Sequence, residues 1–286
     1  MAAWLIVNAD DFGLTTRVND GVLEAHRRGI LTSASIMAVG RAFDHAAHLA
    51  RGAPALDVGI HLTLVEERPL LPGHEIPSLV GPEGRFLRHA DRFVLRYLAG
   101  RIDLGDVRRE LAEQCRRVLG AGLSPSHLDS HQHLHLLPGV LDVVNELSRE
   151  FGIPAIRLGH EPRVLRQVRH TPPGRVALAL IMNALGRRAR RRQRSPIDGF
   201  LGFLYAGRLG ERELLRLLEH LPSRGTWELG CHPGLADAET PYPHWRYHWE
   251  NELAAVTSPR VRALVARKGI ELVGFRDLVE PPQAAN

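Results

Sequence analysis

Short apolar runs alternate with longer stretches whose apolar positions recur every three or four residues, and this rhythm continues along most of the 286-residue chain. The runs at 5–8, 35–39, 58–64, 127–130, 155–158, 226–230 and 271–273 read as strands. Residues 18–28, 41–51, 107–119, 139–151, 211–221 and 259–267 read as amphipathic helices. Strand and helix in strict alternation build a parallel sheet, and about seven such strands predict an α/β fold of the distorted, TIM-barrel-like (β/α) type. Two stretches break the rhythm: 66–88, rich in Pro and Gly, and 159–203, rich in arginine. Both read as loop insertions into one domain spanning 1–286.

Composition narrows the class. With 44% hydrophobic and 24% charged residues the chain can bury a sizeable core, which excludes fibrous or largely disordered proteins. Cys115 and Cys231 lie far apart, so no disulfide framework or zinc ribbon is expected and a reducing compartment is. The start, Met-Ala-Ala-Trp-Leu-Ile-Val, meets Asp10 and Asp11 without a basic region or a long apolar run, so no signal peptide is expected. The apolar stretch at 176–185 falls short of the roughly 20 residues that span a bilayer. The expected location is cytoplasmic.

The net charge of +5 hides an asymmetry, because residues 157–194 hold eleven arginines and one acid, Glu161. This cluster is local and lacks interleaved aromatics, so no nucleic-acid partner is expected. Its apolar stretch leads into Arg187, Arg188, Arg190, Arg191, Arg192 and Arg194, as interfacial segments do, and predicts peripheral contact with an anionic membrane at its inner face. An ordinary helix with a solvated arginine end is the plainer alternative. A homo-oligomer is neither required nor excluded. Lys268 is the single lysine, which sets Schiff-base chemistry aside.

The chemistry concentrates at strand ends. Asp10 and Asp11 follow the first run, His61 ends the third, His131 and His133 follow Asp129, and His232 follows Glu228-Leu-Gly-Cys. In parallel α/β folds these ends converge on one face of the sheet. A lone Asp after a strand is most often a turn or helix cap, and a lone His often a satisfied core residue; the conjunction of four strand ends is hard to reach by capping. Two adjacent carboxylates repel unless a cation or a proton separates them. Period-two spacing puts His127, Asp129, His131, His133 and His135 on one face of an extended segment. Together these residues offer one carboxylate and two imidazoles to a metal, with a spare carboxylate and a spare histidine nearby. Such a set suits hydrolysis, in which a metal lowers the pKa of water, a base takes its proton and an acid protonates the leaving group. No His-Glu-x-x-His, Gly-x-Gly-x-x-Gly, Walker or Gly-x-Ser-x-Gly sequence points elsewhere.

Four ordered motifs, Asn8-Ala-Asp-Asp-Phe-Gly-Leu, Gly59-Ile-His-Leu-Thr-Leu, His127-Leu-Asp-Ser-His-Gln-His-Leu-His and Cys231-His-Pro-Gly, resemble those of the YdjC-like carbohydrate deacetylases. The resemblance implies a distorted barrel and metal-dependent removal of acetyl from N-acetylated amino sugars. It puts the metal, Mg²⁺ or Zn²⁺, on Asp11, His61 and His131, makes Asp10 the general base and makes His232 the general acid. Asp129 is expected to orient a histidine from behind, and His133 to support the site or touch substrate. Leu64-Val-Glu-Glu-Arg-Pro-Leu, Pro77-Ser-Leu-Val and Leu136-Leu-Pro-Gly-Val are similar to the branch associated with hopanoid biosynthesis, which implies a glycosylated hopanoid bearing N-acetylglucosamine as substrate. The rival reading is a non-catalytic glycolipid- or carbohydrate-binding protein on a degenerate barrel, against which the spare carboxylate argues. A two-metal sugar isomerase would need more carboxylates at strand ends.

Overall fold

A computed structural model describes residues 3–161, 173–192, 195–237 and 240–278. Its central strand, β1 (Ala3–Phe12), is apolar until its last residues and almost wholly buried, because parallel neighbours flank it and helices cover the sheet. The chain continues through α1 (Thr16–Arg28), β2 (Ser33–Ile36), α2 (Phe43–Arg51), β3 (Asp57–Leu62), α3 (Ala90–Leu98), α4 (Leu104–Gly120), β4 (His127–Ser130) and α5 (Pro138–Glu150). It then passes through β5 (Ala155–Ile156), α6 (Pro173–Arg192), β6 (Gly199–Leu201), α7 (Glu211–Glu219), β7 (Gly225–Cys231), α8 (Trp249–Thr257), α9 (Pro259–Arg267) and β8 (Glu271–Leu272).

The strands pair in parallel in the order β5-β4-β3-β2-β1-β7-β6, and β8 pairs with the first half of β1. The outer strands β5 and β6 do not pair with each other among the described residues, so the curled sheet is an open, distorted barrel. Register fixes what meets what: His61 lies beside Asp129, Leu128 beside Ile156, and Glu228 between Ile6 and Phe200. Gly59 on β3 is required by a close approach, since a Cβ there would sit 2.2 Å from the His127 ring.

Helix ends follow their sequence signals. Thr15 caps α1 by accepting from the Val18 N–H, and Ser258 caps α9, which begins with Pro259. The Lys268 ammonium donates to the carbonyls of Leu218, Glu219 and Leu221, closing the last turn of α7 and tying it to the end of α9.

The second interruption of the rhythm needs correction. Residues 159–203 contain β6 and the whole of α6 and so carry sheet structure of their own. Arg194, the last of the expected basic cluster, lies outside the described residues. The stretch at 66–88 is irregular, as expected, yet α4 pins its entry. The Gln114 side chain bonds both backbone groups of Thr63, and Glu110 accepts from the Leu70 and Leu71 N–H groups. Among the described residues no helix is long and apolar enough to cross a membrane.

Candidate metal centre and active site

In a regular strand Asp10 and Asp11 would point to opposite faces. Here β1 loses its register with β2 between Ala9 and Phe12, and Asp11 takes a left-handed backbone with φ 63°. Both carboxylates thereby reach the same buried centre, one on each side of His61. A non-glycine residue in that conformation costs roughly 1–2 kcal/mol, and such cost persists where surrounding contacts over-determine it. Glu66, whose carboxylate reaches His131, also has positive φ, as do Gln132 and His133 in the turn that follows His131.

Asp11 faces two imidazoles. Its Oδ1 lies 3.3 Å from His61 Nε2 and 3.1 Å from His131 Nδ1. Each ring holds a second carboxylate on its far nitrogen: Asp129 Oδ1 at 2.8 Å from His61 Nδ1, and Glu66 Oε2 at 3.2 Å from His131 Nε2. Carboxylates behind histidines in this way fix the ring and its tautomer in metal sites. The other Asp11 oxygen, Oδ2, is buried and has no hydrogen-bond partner among the described residues. A divalent cation fits this set: three donors converge, two are pre-oriented from behind, and one oxygen is left unsatisfied. Burial disfavours a charged ring, but Asp129 and Asp11 outweigh it at His61, and Asp11 and Glu66 do so at His131, raising their pKa values to about 10 and about 9. Burial likewise opposes ionisation of Asp11, and the two rings outweigh it, so its carboxyl stays well below the usual range.

Asp10 is held by a different cation. The fully buried Arg157 guanidinium forks both Asp10 oxygens at 2.8 Å, reaches Asp129 Oδ2 at 2.7 Å and donates through Nε to Glu228 Oε1 at 2.6 Å. The Asn8 amide adds a bond to Asp10 Oδ1 and another to Ser35, whose hydroxyl donates to Asp129. Burial alone would raise the Asp10 pKa; Arg157 overcomes it and the carboxyl is lowered. The repulsion expected between Asp10 and Asp11 is thus relieved on two sides, by the guanidinium for one and the imidazoles for the other. Glu228 receives less compensation, and burial pushes it up to about 7.

The extended face expected for 127–135 does not form. The strand stops at Ser130, and residues His131–Leu136 make a 3₁₀ turn broken by left-handed Gln132 and His133. Peptide groups at that turn find local partners: Ser130 Oγ accepts from the His135 N–H, and His135 Nε2 donates to the Arg157 carbonyl at 2.8 Å. His127 is a core residue, stacked 3.7 Å from the Phe275 ring and bonded to Ser35 and Ser126. His133 packs against Phe200 and Phe203, away from the Asp11 group, and burial lowers its pKa to about 3.

His232, at the end of β7, lies 3.6 Å from Glu252 Oε2 through Nδ1, and its backbone N–H donates to the same oxygen. Burial would discourage its proton, but Glu252 outweighs burial and the pKa is raised. Its ring meets Tyr247 edge to face, while Trp245 stacks on His131 with centroids 4.9 Å apart. Beside Glu66 opens a cavity of about 490 Å³ walled by Arg41, Phe86, Arg88, Tyr242 and His244, within the range of small-molecule sites.

Every residue assigned from sequence, Asp10, Asp11, His61, His131 and His232, is buried, and the Asp11, His61 and His131 donor atoms come together. Sequence reading missed Arg157, Glu66 and Glu252, which hold these groups in place.

The YdjC-like protein family matches residues 4–267 of the chain. The chain is 34% identical over 281 residues to a carbohydrate deacetylase of Geobacillus stearothermophilus, covering 97% of this chain and 98% of that protein. It is 32% identical over 284 residues to a chitooligosaccharide deacetylase of Serratia marcescens, covering 97% and 100%. Among solved structures it is similar to an Enterococcus faecalis V583 protein named for cellobiose-phosphate cleavage, with a TM-score of 0.75, 27% identity and coverage of 97% and 99%.

Proposed function

The chain belongs to the YdjC-like family, and from that membership we propose that it is a metal-dependent hydrolase that removes the acetyl group from an N-acetylated amino sugar. The observation that carries this reading is the Asp11 carboxylate facing two imidazoles, each backed by its own carboxylate. Asp11, His61 and His131 would hold Mg²⁺ or Zn²⁺, which supplies Lewis acidity to the acetamide oxygen and makes water easier to deprotonate.

The protein's own groups do the proton work. Asp10, fixed by the Arg157 fork and Asn8, accepts the proton of the attacking water as the carbonyl carbon becomes tetrahedral. His232, kept protonated by Glu252 beside its Nδ1, delivers the proton of its other ring nitrogen, Nε2, to the amine nitrogen as the C–N bond breaks, giving acetate and a free amino sugar. Trp245 and Tyr247 wall the reacting centre.

Acetate release from a panel of N-acetylated sugars and glycolipids, before and after chelation, tests the reading. We expect release that chelation abolishes and added metal restores; a metal-loaded enzyme inert on the whole panel would overturn it. Within the panel the finer substrate we propose is a hopanoid glycolipid bearing N-acetylglucosamine, met by a cytoplasmic enzyme at the inner membrane face. The motif similarity at residues 64–70, 77–80 and 136–140 supports it.

His232→Ala should slow an amide substrate by about 10²-fold or more, and an activated ester far less, because the ester's leaving group needs no proton. Equal losses on both would remove His232 from the acid role.

A further inference from the structure

Among the described residues, helix α6 is held on one side only. Its inward residues are Ala179, Met182, Asn183, Gly186 and Ala189. Met182 and Ala189 pack with Leu136, Leu141 and Leu158, and the Asn183 side chain accepts from the Glu161 N–H. A Cβ at Gly186 would lie 2.4 Å from the Leu158 carbonyl oxygen, so helix and chain touch backbone to backbone and the rotation of α6 about its axis is fixed.

Among the described residues the opposite face is exposed, and its first half is apolar. Leu178, Leu180 and Ile181 are 49%, 40% and 58% exposed. At spacings of three and four, Ile181, Ala184, Arg188 and Arg191 form one stripe, so the same face turns cationic toward its end. Arg187, Arg188, Arg191 and Arg192 line one shallow depression there. Arg192 pairs with Asp142 at 3.3 Å, whereas no carboxylate among the described residues pairs with Arg187, Arg188 or Arg191.

We infer that this face of α6 docks on an anionic lipid bilayer, the aliphatic side chains entering the acyl boundary and the guanidinium groups engaging headgroup phosphates. A bilayer surface offers both halves of the face their complement, apolar beneath and anionic above. A nucleic acid would leave three aliphatic side chains in water. A second copy packed antiparallel across a two-fold axis would set each arginine end against the partner's aliphatic end and give the guanidinium groups no counter-charge. Guanidinium forks suit phosphate, and the helix packs directly on the turn that carries His131, so docking holds the centre near the surface. The inference adds a location to the proposed deacetylation and does not depend on which sugar is hydrolysed, since it is read without turnover.

The experiment is flotation of the full chain with phosphatidylcholine vesicles, with and without phosphatidylglycerol, at low and high salt. We expect binding to the phosphatidylglycerol vesicles at low salt, weakened about 10- to 100-fold by the combined variant Arg187→Gln, Arg188→Gln, Arg191→Gln. Leu178→Ser with Ile181→Ser should remove the binding that survives high salt. All five positions are exposed, so unchanged thermal midpoints and unchanged acetate release from a soluble sugar confirm intact folds. Absence of low-salt binding, equal binding by the Gln variant, a dimer lost in the Ser variant without vesicle binding, or displacement from vesicles by duplex nucleic acid would each overturn the inference.

Discussion

Asp11→Ala and His61→Ala should each lose bound metal and acetate release together, whereas Asp10→Asn should keep its metal and lose turnover by about 10²–10⁴-fold. The separation follows from geometry: Asp11 faces both imidazoles, while both Asp10 oxygens are occupied by Arg157. Metal per chain, measured beside acetate release for the three variants, decides the assignment. Near wild-type turnover by Asp10→Asn would take the base role away from that residue, and full metal content in Asp11→Ala would place the ion elsewhere.

Arg157→Met should be the most destabilising single change near the centre. It leaves Asp10, Asp129 and Glu228 buried without their shared cation, and removing one partner of a buried ion pair typically costs about 3–5 kcal/mol. The sign of its pH dependence is set by the carboxylates. Burial opposes their ionisation, but Arg157 holds Asp10 and Asp129 below the ordinary value of 3.8, so that contribution is present above about pH 4 and fades as pH falls through the lowered values. The stability gap between wild type and variant should therefore be widest near neutral pH and narrow below about pH 4. Denaturant midpoints across that range test it; a gap that is small at pH 7, or that grows on acidification, would show that Arg157 does not compensate these acids.

Strand ends were the legible part of this molecule. Apolar runs bounded by turns located β1, β3, β4 and β7, and the chemistry at their ends was visible because Asp and His are rare at the close of buried strands. Arg157 was not visible. It follows a strand of two residues and is one arginine in a chain crowded with them; only the pairing of Leu128 with Ile156 reveals that it enters the centre. Glu66 hid in a stretch without periodicity, placed by the hold of Glu110 and Gln114 on neighbouring backbone. The period-two match at 127–135 misled, because alternation in sequence cannot register the left-handed turn at Gln132 and His133. Strand β6, three residues long, and α8, behind an aromatic loop, gave too short a signal or no clear boundary.

The lone lysine has a practical consequence for handling the protein. Amine-selective reagents find one side-chain target in the chain, Lys268, and its nitrogen is already engaged by three carbonyls at the end of α7. Lys268 is exposed, so a dye or cross-linker reacts there once its nitrogen lets go of those carbonyls, and the extent of labelling measures how often that tie between α7 and α9 is released. Attachment to an amine-reactive surface would likewise pull on the seam between two helices, remote in sequence from every residue assigned to the chemistry.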